Sequence, residues 1–321
     1  MRLLRFQVDT QLGSVARIGA LDPSGTQVVD LAAAYAALRR SQGVDPARAE
    51  QVAAEIFAPN MRDFIALGTW GLDQARRALE FALGPAGAPV IYPLSGVRLL
   101  APVLPQVLRD CLAFEEHTKN AYARLNLPVP PAWYELPVYY KGNPLMVVGP
   151  DADIRWPAYS QVIDYELEIA IVIGPGGQDI PAAEAHRHIY GVTILNDFSA
   201  RDIQAKEMAV GLGPAKGKDF AYALGPWVVT MDEVPDLYNL EMVARVNGEV
   251  WSRGNTGTIY WRFDRIIEHI SAGEMLAPGD VIGSGTVGNG CGLELGRFLK
   301  PGDVVELEVS GIGVLRNRVI R

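Results

Sequence analysis

The stretch Val162-Ile163-Asp164-Tyr165-Glu166-Leu167-Glu168-Ile169-Ala170-Ile171-Val172-Ile173 decides how the rest of the chain is read. Acidic and apolar residues alternate with the period of a strand. Residues two apart share a strand face, so Asp164, Glu166 and Glu168 point the same way, with Glu166 and Glu168 roughly 7 Å apart at Cα. A strand this apolar is buried on at least one side, and an unpaired buried charge costs several kcal/mol. Further along, Asn196-Asp197-Phe198-Ser199-Ala200-Arg201-Asp202 places another carboxylate in a strand-to-helix turn, where function commonly sits. A cation between Glu166, Glu168 and Asp197 would offset these charges. The bland alternative is a solvated sheet face whose acids pair with Lys or Arg. Oxygen ligands without a cysteine or histidine pair select Mg²⁺, Mn²⁺ or Ca²⁺ over zinc.

Composition sets the outer bounds. The chain has 321 residues, enough for one large domain or one large plus one small. Lys and Arg total 29 against 37 Asp and Glu, and the net charge of -8 argues against nucleic acid and membrane surfaces as partners. The two cysteines, Cys111 and Cys291, have no CxxC spacing, which argues against a disulfide scaffold or a zinc-thiolate site and fits a reducing compartment. Met1 to Phe6 carries no signal-peptide pattern, and no uncharged apolar stretch is long enough to span a membrane. The expectation is a cytoplasmic globular protein.

Taken in order, the chain opens with short strands at 3–6, 14–20 and 27–30, divided by turns such as Asp22-Pro23-Ser24-Gly25. Helices are expected at 31–40, at 46–57 behind a capping Asp45 and Pro46, and at 73–83. Gly84-Pro85-Ala86-Gly87-Ala88-Pro89 breaks that pattern, so a small N-terminal domain is expected over 1–95 and a larger one over 96–321. Beyond it, strands are predicted at 97–100, 138–141, 145–148, 192–195, 226–230, 241–246, 281–283 and 304–309. Residues 109–126 read as helical in part, and 182–190 as a helix carrying His186 and His188. Ser199 and Asp202 form a capping-box pattern. Many short strands with few long helices predict a β-rich α+β fold.

His117 is the second chemical candidate. If 109–126 is helical, Asp110 and His117 lie two turns apart on one face, and a histidine near a carboxylate is a general base at neutral pH. The plain alternative is a surface histidine in a charged helix. His186, His188 and His269 read as surface or packing residues. The glycine-rich stretch 211–218 lacks the spacing of a phosphate loop and follows a helix, so a nucleotide site is not expected there. The stretch 283–290 either brings backbone N–H groups to an anionic ligand or turns sharply between strands.

These motifs together resemble the fumarylacetoacetate hydrolase superfamily over roughly residues 100–321. The specific parts are Asp164 to Ala170 and Gly191 to Gln204. Gly217-Lys218-Asp219-Phe220, Pro226 to Val229, Gly283 to Thr286 and Leu299 to Val305 support them. The resemblance implies a mixed β-sandwich roll with a small N-terminal domain, usually as a homodimer. It implies Glu166, Glu168 and Asp197 as ligands of a divalent metal, with Asp110 as a fourth carboxylate. His117 would activate water, with Glu115, Glu116 or Glu294 as its carboxylate partner. Tyr140, Arg201, Gln204 and Lys218 would hold substrate or its developing charge, and Thr286 a substrate carboxylate. Departures are Leu112 and Met208 in place of substrate-contacting tyrosines, Asn126 in place of an arginine, and Asn120 where smaller relatives carry a glutamate.

The implied reaction is metal-dependent hydrolysis of a carbon–carbon bond in an acylpyruvate-like 1,3-dioxo acid through an enolate. The same residues would serve 2-oxo acid decarboxylation, dienoate isomerisation or hydration, or sugar-acid cleavage or dehydration. A reading of another class is a non-enzymatic metal-binding protein, which Lys218 and His117 beside the carboxylates disfavour.

Overall fold

A computed structural model describes residues 1–10, 13–85, 90–124, 126–234 and 236–321. Its centre is the strand Leu167–Ile173, buried at every position. Leu167, Ile169, Ile171 and Ile173 enter one hydrophobic core, while Ala170 and Val172 enter a second on the opposite face. A strand covered on both sides explains why apolar residues run almost without interruption here. Glu168 shares its face with Ala170 and Val172.

This strand belongs to a twelve-stranded sheet. Ile189–Asp197 and Tyr222–Thr230 follow on one side, both antiparallel. Val281–Gly283 lies on the other side, then Leu108–Cys111 and Tyr139–Gly142. A five-stranded sheet, Glu249–Asn255, Glu241–Val246, Val304–Val309, Gly313–Ile320 and Asp153–Arg155 in spatial order, supplies Met242, Ala244, Leu307, Leu315 and Val319 to the first core. The second core packs the large sheet against N-terminal helices through Ala34, Phe57, Phe64, Ala75 and Ala78. The architecture is strand-rich mixed α+β, as expected.

The N-terminal segment adds its own strands to the same sheet. Arg2 and Leu3 pair with Val229 and Val228, and Arg2–Thr10 then pairs with Gly13–Leu21. Helices follow at Leu31–Ser41, Pro46–Ile56, Met61–Ala66 and Gly68–Leu83. Asp30 and Asp45 each cap a helix by accepting a backbone N–H. The last helix starts five residues before the expected Asp73. Gly84 is its C-cap, and residues 86–89 of the expected break lie outside the described residues.

Several sequence expectations are corrected. Asp110 and His117 do not share a helix: Leu108–Cys111 is a strand, and the helix is Glu115–Arg124. Strand pairing with Gly283 and Tyr140 holds Asp110 extended. Leu125, inside the predicted segment, lies outside the described residues. The predicted helix 182–190 is only a 3₁₀ turn at Ala185–His188, because Ile189 already enters the ladder of the next strand. The capping box does not form. Ser199 pairs as a strand with Asp164, and Asp202 instead accepts from Ser160 Oγ and Gln161 N–H. The helix Phe263–Ser271, whose Phe263, Ile266, Ile267 and Ile270 form a clear apolar stripe, and the strands Glu249–Asn255 and Gly313–Ile320 add to the elements expected from the sequence. Among the described residues no helix is long and apolar enough to cross a membrane.

Candidate active site

Four carboxylates converge at the heart of the large sheet: Asp110, Glu168 and Asp197 from three strands, and Glu166 from the residue just before the strand of Glu168. Oxygens of Asp110, Glu166, Glu168 and Asp197 lie within 4.8 Å of one another, and all four residues are buried. The backbone makes the approach possible at Gly283, which pairs with Asp110 on one side and Ala170 on the other. A Cβ at Gly283 would sit 2.3 Å from Asp110 Oδ1 and 3.1 Å from Glu168 Oε2, so a side chain there would push the carboxylates apart. Gly285 works similarly at φ +75°, where a Cβ would meet Cys111 O at 2.2 Å. Its N–H donates to Asp110 Oδ1 at 3.2 Å, and Thr286 Oγ1 donates to Glu168 Oε1 at 3.4 Å. The 283–290 stretch is thus the wall of the acidic cluster.

Two cations share the site. Lys218 Nζ donates to Glu166 Oε2 at 2.5 Å and to Asp197 Oδ2 at 2.6 Å. Arg201 spans Asp164 Oδ2 and Glu166 Oε1, both at 2.8 Å, and its Nη1 donates to Gln204 Oε1 at 3.0 Å. Tyr140 Oη donates to Asp197 Oδ2 at 2.6 Å. The pairing alternative raised by the sequence is therefore partly realised, but it does not exhaust the charge. Five buried carboxylates, counting Asp164, face these two cations. Glu168 Oε2 and Asp197 Oδ1 are buried with no hydrogen-bond partner among the described residues. Such groups cost roughly 1–3 kcal/mol each, more when charged. An all-oxygen donor set with two orphaned oxygens fits a hard dication of the Mg²⁺, Mn²⁺ or Ca²⁺ class.

The electrostatics follow from this crowding. Burial, joined by the charges of Asp110, Glu166 and Asp197, pushes the Glu168 carboxyl well above the usual range. Burial does the same at Asp197, where the Asp110 and Glu166 charges join it and Lys218 offsets only part. Burial also raises Asp110. Glu166 goes the other way: Lys218 and Arg201 outweigh the burial that would raise it. Burial lowers the hold of Lys218 on its proton, but the Asp197 and Glu166 carboxylates more than reverse this, so it stays charged. Burial and the Asp197 charge keep the Tyr140 phenol protonated.

Asp164 is displaced from the role its spacing suggested. The chain breaks out of the ladder at Tyr165-Glu166, between the strands Ile163–Asp164 and Leu167–Ile173, so the alternation does not run through. Asp164 instead accepts from Arg201 Nε at 2.8 Å and from the N–H groups of Gly292 and Leu293 at 2.7 and 2.9 Å. It anchors the arginine and the short helix Gly292–Leu295.

That helix brings Glu294 to His117. Glu294 Oε2 lies 2.8 Å from His117 Nδ1, both buried. Asn120 Nδ2 and Asn289 N–H each donate to Glu294 Oε1 at 2.9 Å. Burial would raise the Glu294 carboxyl, yet these donors and His117 hold it below the usual range. Of the three glutamates considered as partners, Glu116 is exposed and accepts from Asn289 Nδ2, and Glu115 accepts from Lys119 and Tyr134. Glu116 is thus corrected as the partner, because its position on the helix turns it outward. The position of Asn120 still contributes, as a donor to Glu294.

The other candidates fall as follows. Leu112 is half-buried, and Met208 and Asn126 are exposed. His188 binds Pro175 O, and His269 packs on the Tyr139 ring. The N–H groups of Ala215, Lys216 and Gly217 in the glycine-rich 211–218 loop donate to the Glu207 carboxylate. Sequence reasoning alone missed the second tier, Asn120, Asn289 and Cys291, whose positions become meaningful only once Glu294 is placed.

Comparison with known proteins identifies the family. The family profile described as fumarylacetoacetate (FAA) hydrolase C-terminal matches residues 106–320. The human mitochondrial oxaloacetate tautomerase FAHD2A is 36% identical over 263 residues, 81% of this chain and 79% of that protein. Among solved structures, the fumarylacetoacetate hydrolase of psychrophilic Exiguobacterium antarcticum superposes with a TM-score of 0.74 at 28% identity, covering 100% of this chain and 99% of that one. The 5-carboxymethyl-2-hydroxymuconate delta-isomerase of Mycobacterium smegmatis gives 0.67 at 29% identity, covering 100% of both. Relatives and neighbours thus include tautomerases, isomerases and hydrolases. With two thirds of its length matched by the family profile and its motifs gathered into one acidic centre, the chain belongs to the fumarylacetoacetate hydrolase family.

Proposed function

We propose that this protein is a dication-dependent enzyme that moves a proton beside the keto group of a small 2-oxo dicarboxylate. The reaction is keto–enol interconversion of the oxaloacetate type. The observation that carries it is the buried His117–Glu294 pair at 2.8 Å, with His117 near enough to Glu166 for the two side chains to interact electrostatically. Glu294 engages Nδ1, which leaves Nε2 as the atom for proton transfer. His117 takes a proton from the carbon between the carbonyl and the distal carboxylate, and returns one to the enolate oxygen.

Asp110, Glu166, Glu168 and Asp197 would hold the dication, which when bound supplies Lewis acidity that favours an enolate over a neutral ketone. Lys218 is fixed and charged, and stabilises developing charge on the substrate oxygen. Arg201 and Gln204 are oriented as a unit by Asp164, and together with Tyr140 and Thr286 would position the carboxylates. The name of the human relative supports a tautomerase, and Leu112, Met208 and Asn126 put neither a base nor a phenol at the three positions where the resemblance implies tyrosine and arginine contacts.

Carbon–carbon hydrolysis of an acylpyruvate is the second reading. It is favoured by the same dyad, which is equally suited to take a proton from water, and by the Exiguobacterium neighbour. We further propose that the protein is a cytoplasmic homodimer.

The test is turnover in Mg²⁺ of oxaloacetate enol and an acylpyruvate panel, with enol absorbance and product NMR followed together. Loss of enol signal without bond cleavage is expected. Pyruvate released from the acylpyruvates would favour the second reading, and no acceleration of either would contradict both.

A further inference from the structure

Behind the His117–Glu294 pair sits a third donor. Cys291 Sγ lies 3.3 Å from Glu294 Oε2, the oxygen that also engages His117 Nδ1. The three ligand atoms lie within 4.8 Å of one another, and all three residues are buried. A tetrahedral zinc-class ion with Zn–N near 2.0, Zn–O near 2.1 and Zn–S near 2.3 Å needs donors roughly 3.3–3.6 Å apart. The 3.3 Å Sγ–Oε2 separation lies at the lower end of that span and the 2.8 Å Nδ1–Oε2 separation about half an ångström below it, so binding spreads these donors. The sequence has no CxxC pair, but the fold supplies nitrogen, sulfur and carboxylate donors from distant positions. This donor set differs in kind from the all-oxygen cluster of Asp110, Glu166, Glu168 and Asp197.

We propose that His117, Cys291 and Glu294 form a second metal site, for a thiophilic dication of the zinc class, whose occupancy switches the proton-transfer dyad off. Binding replaces the hydrogen bonds that converge on Glu294. The thiol loses its proton to solvent and becomes the sulfur ligand. The imidazole proton leaves Nδ1, which takes the metal, and moves to Nε2. Two ligand charges, thiolate and carboxylate, then balance the dication. Nε2 now carries a proton and no longer has a lone pair for substrate. A hard dication has little affinity for this set, so Mg²⁺ does not trigger it. The coordination rests on geometry alone, whereas the inhibition rests on the proposed role of His117.

The experiment uses the full chain saturated with Mg²⁺ and titrated with Cd²⁺, Co²⁺ and Zn²⁺. Cd²⁺ and Co²⁺ are expected to give a thiolate-to-metal charge-transfer band saturating at one equivalent. Cys291→Ser and Cys291→Ala lose the band, Glu294→Gln weakens binding at least tenfold, and Cys111→Ser keeps the band. Zn²⁺ inhibits turnover, excess Mg²⁺ does not relieve it, and Cys291→Ser raises the inhibiting concentration at least tenfold relative to its own uninhibited rate. Absence of the band in the unmodified protein, or its survival in both Cys291 variants, would overturn the site. A band without inhibition would leave the site standing and remove His117 from the chemistry.

Discussion

Glu294 Oε2 and His117 Nδ1 lie 2.8 Å apart although 177 residues separate them in the chain. Asn120 and the Asn289 N–H hold the second oxygen of Glu294, so the carboxylate that orients the imidazole is itself fixed. His117→Ala is expected to lower turnover by about 10²–10⁴-fold, the usual range for a positioned acid–base group. Its dication affinity by calorimetry stays close to that of the unmodified protein. Near-normal turnover in this variant would remove His117 from the mechanism.

The dication is expected to displace protons as it binds. Burial and mutual repulsion hold Glu168 and Asp197 above the usual carboxylate range, and a cation binds their ionised oxygens, so it competes with protons for both. Affinity should therefore rise with pH, by about tenfold per unit for each proton displaced. Calorimetry of Mn²⁺ binding in buffers of different ionisation heat reads the number directly. A binding enthalpy independent of buffer would contradict the assignment.

Glu168→Gln and Asp164→Asn separate two roles that look equivalent on paper. Glu168→Gln is expected to weaken dication binding at least tenfold with little loss of stability, because a neutral amide of the same shape suits a crowded cluster that already disfavours the ionised carboxyl. Asp164→Asn removes one of the two carboxylates that hold Arg201 and weakens the tie to the Gly292 and Leu293 N–H groups. Breaking a buried ion pair costs about 3–5 kcal/mol, so urea unfolding should show that loss. Equal stability of the two variants would refute this division.

The proposed homodimer predicts a mass in solution of twice the chain, by light scattering, across a tenfold range of protein concentration. A monomer mass that does not change with concentration would exclude it.

Much of this architecture is written in local pattern. The apolar run 167–173 announces a buried strand, and Asp45-Pro46 announces a helix start that the structure keeps. Glu166, Glu168 and Asp197 stand out because acids on apolar strands demand a partner. Asp110 reaches the cluster on a strand and not on a helix: the strand pairs with Tyr139–Gly142 and with Val281–Gly283, the latter 173 residues away at each paired position, which no local period encodes. Asp164 shows the opposite failure. Its alternation is perfect in the sequence, yet the backbone leaves the ladder at Tyr165-Glu166 and turns it to Arg201. Glu294 is legible only as one of three glutamates, since the choice depends on which helix face meets which loop.

The most direct test of the central claim is anomalous diffraction from crystals soaked in Mn²⁺. We expect one peak about 2.1 Å from oxygens of Glu166, Glu168 and Asp197. No peak between these carboxylates, with Lys218 still bridging Glu166 and Asp197, would contradict it.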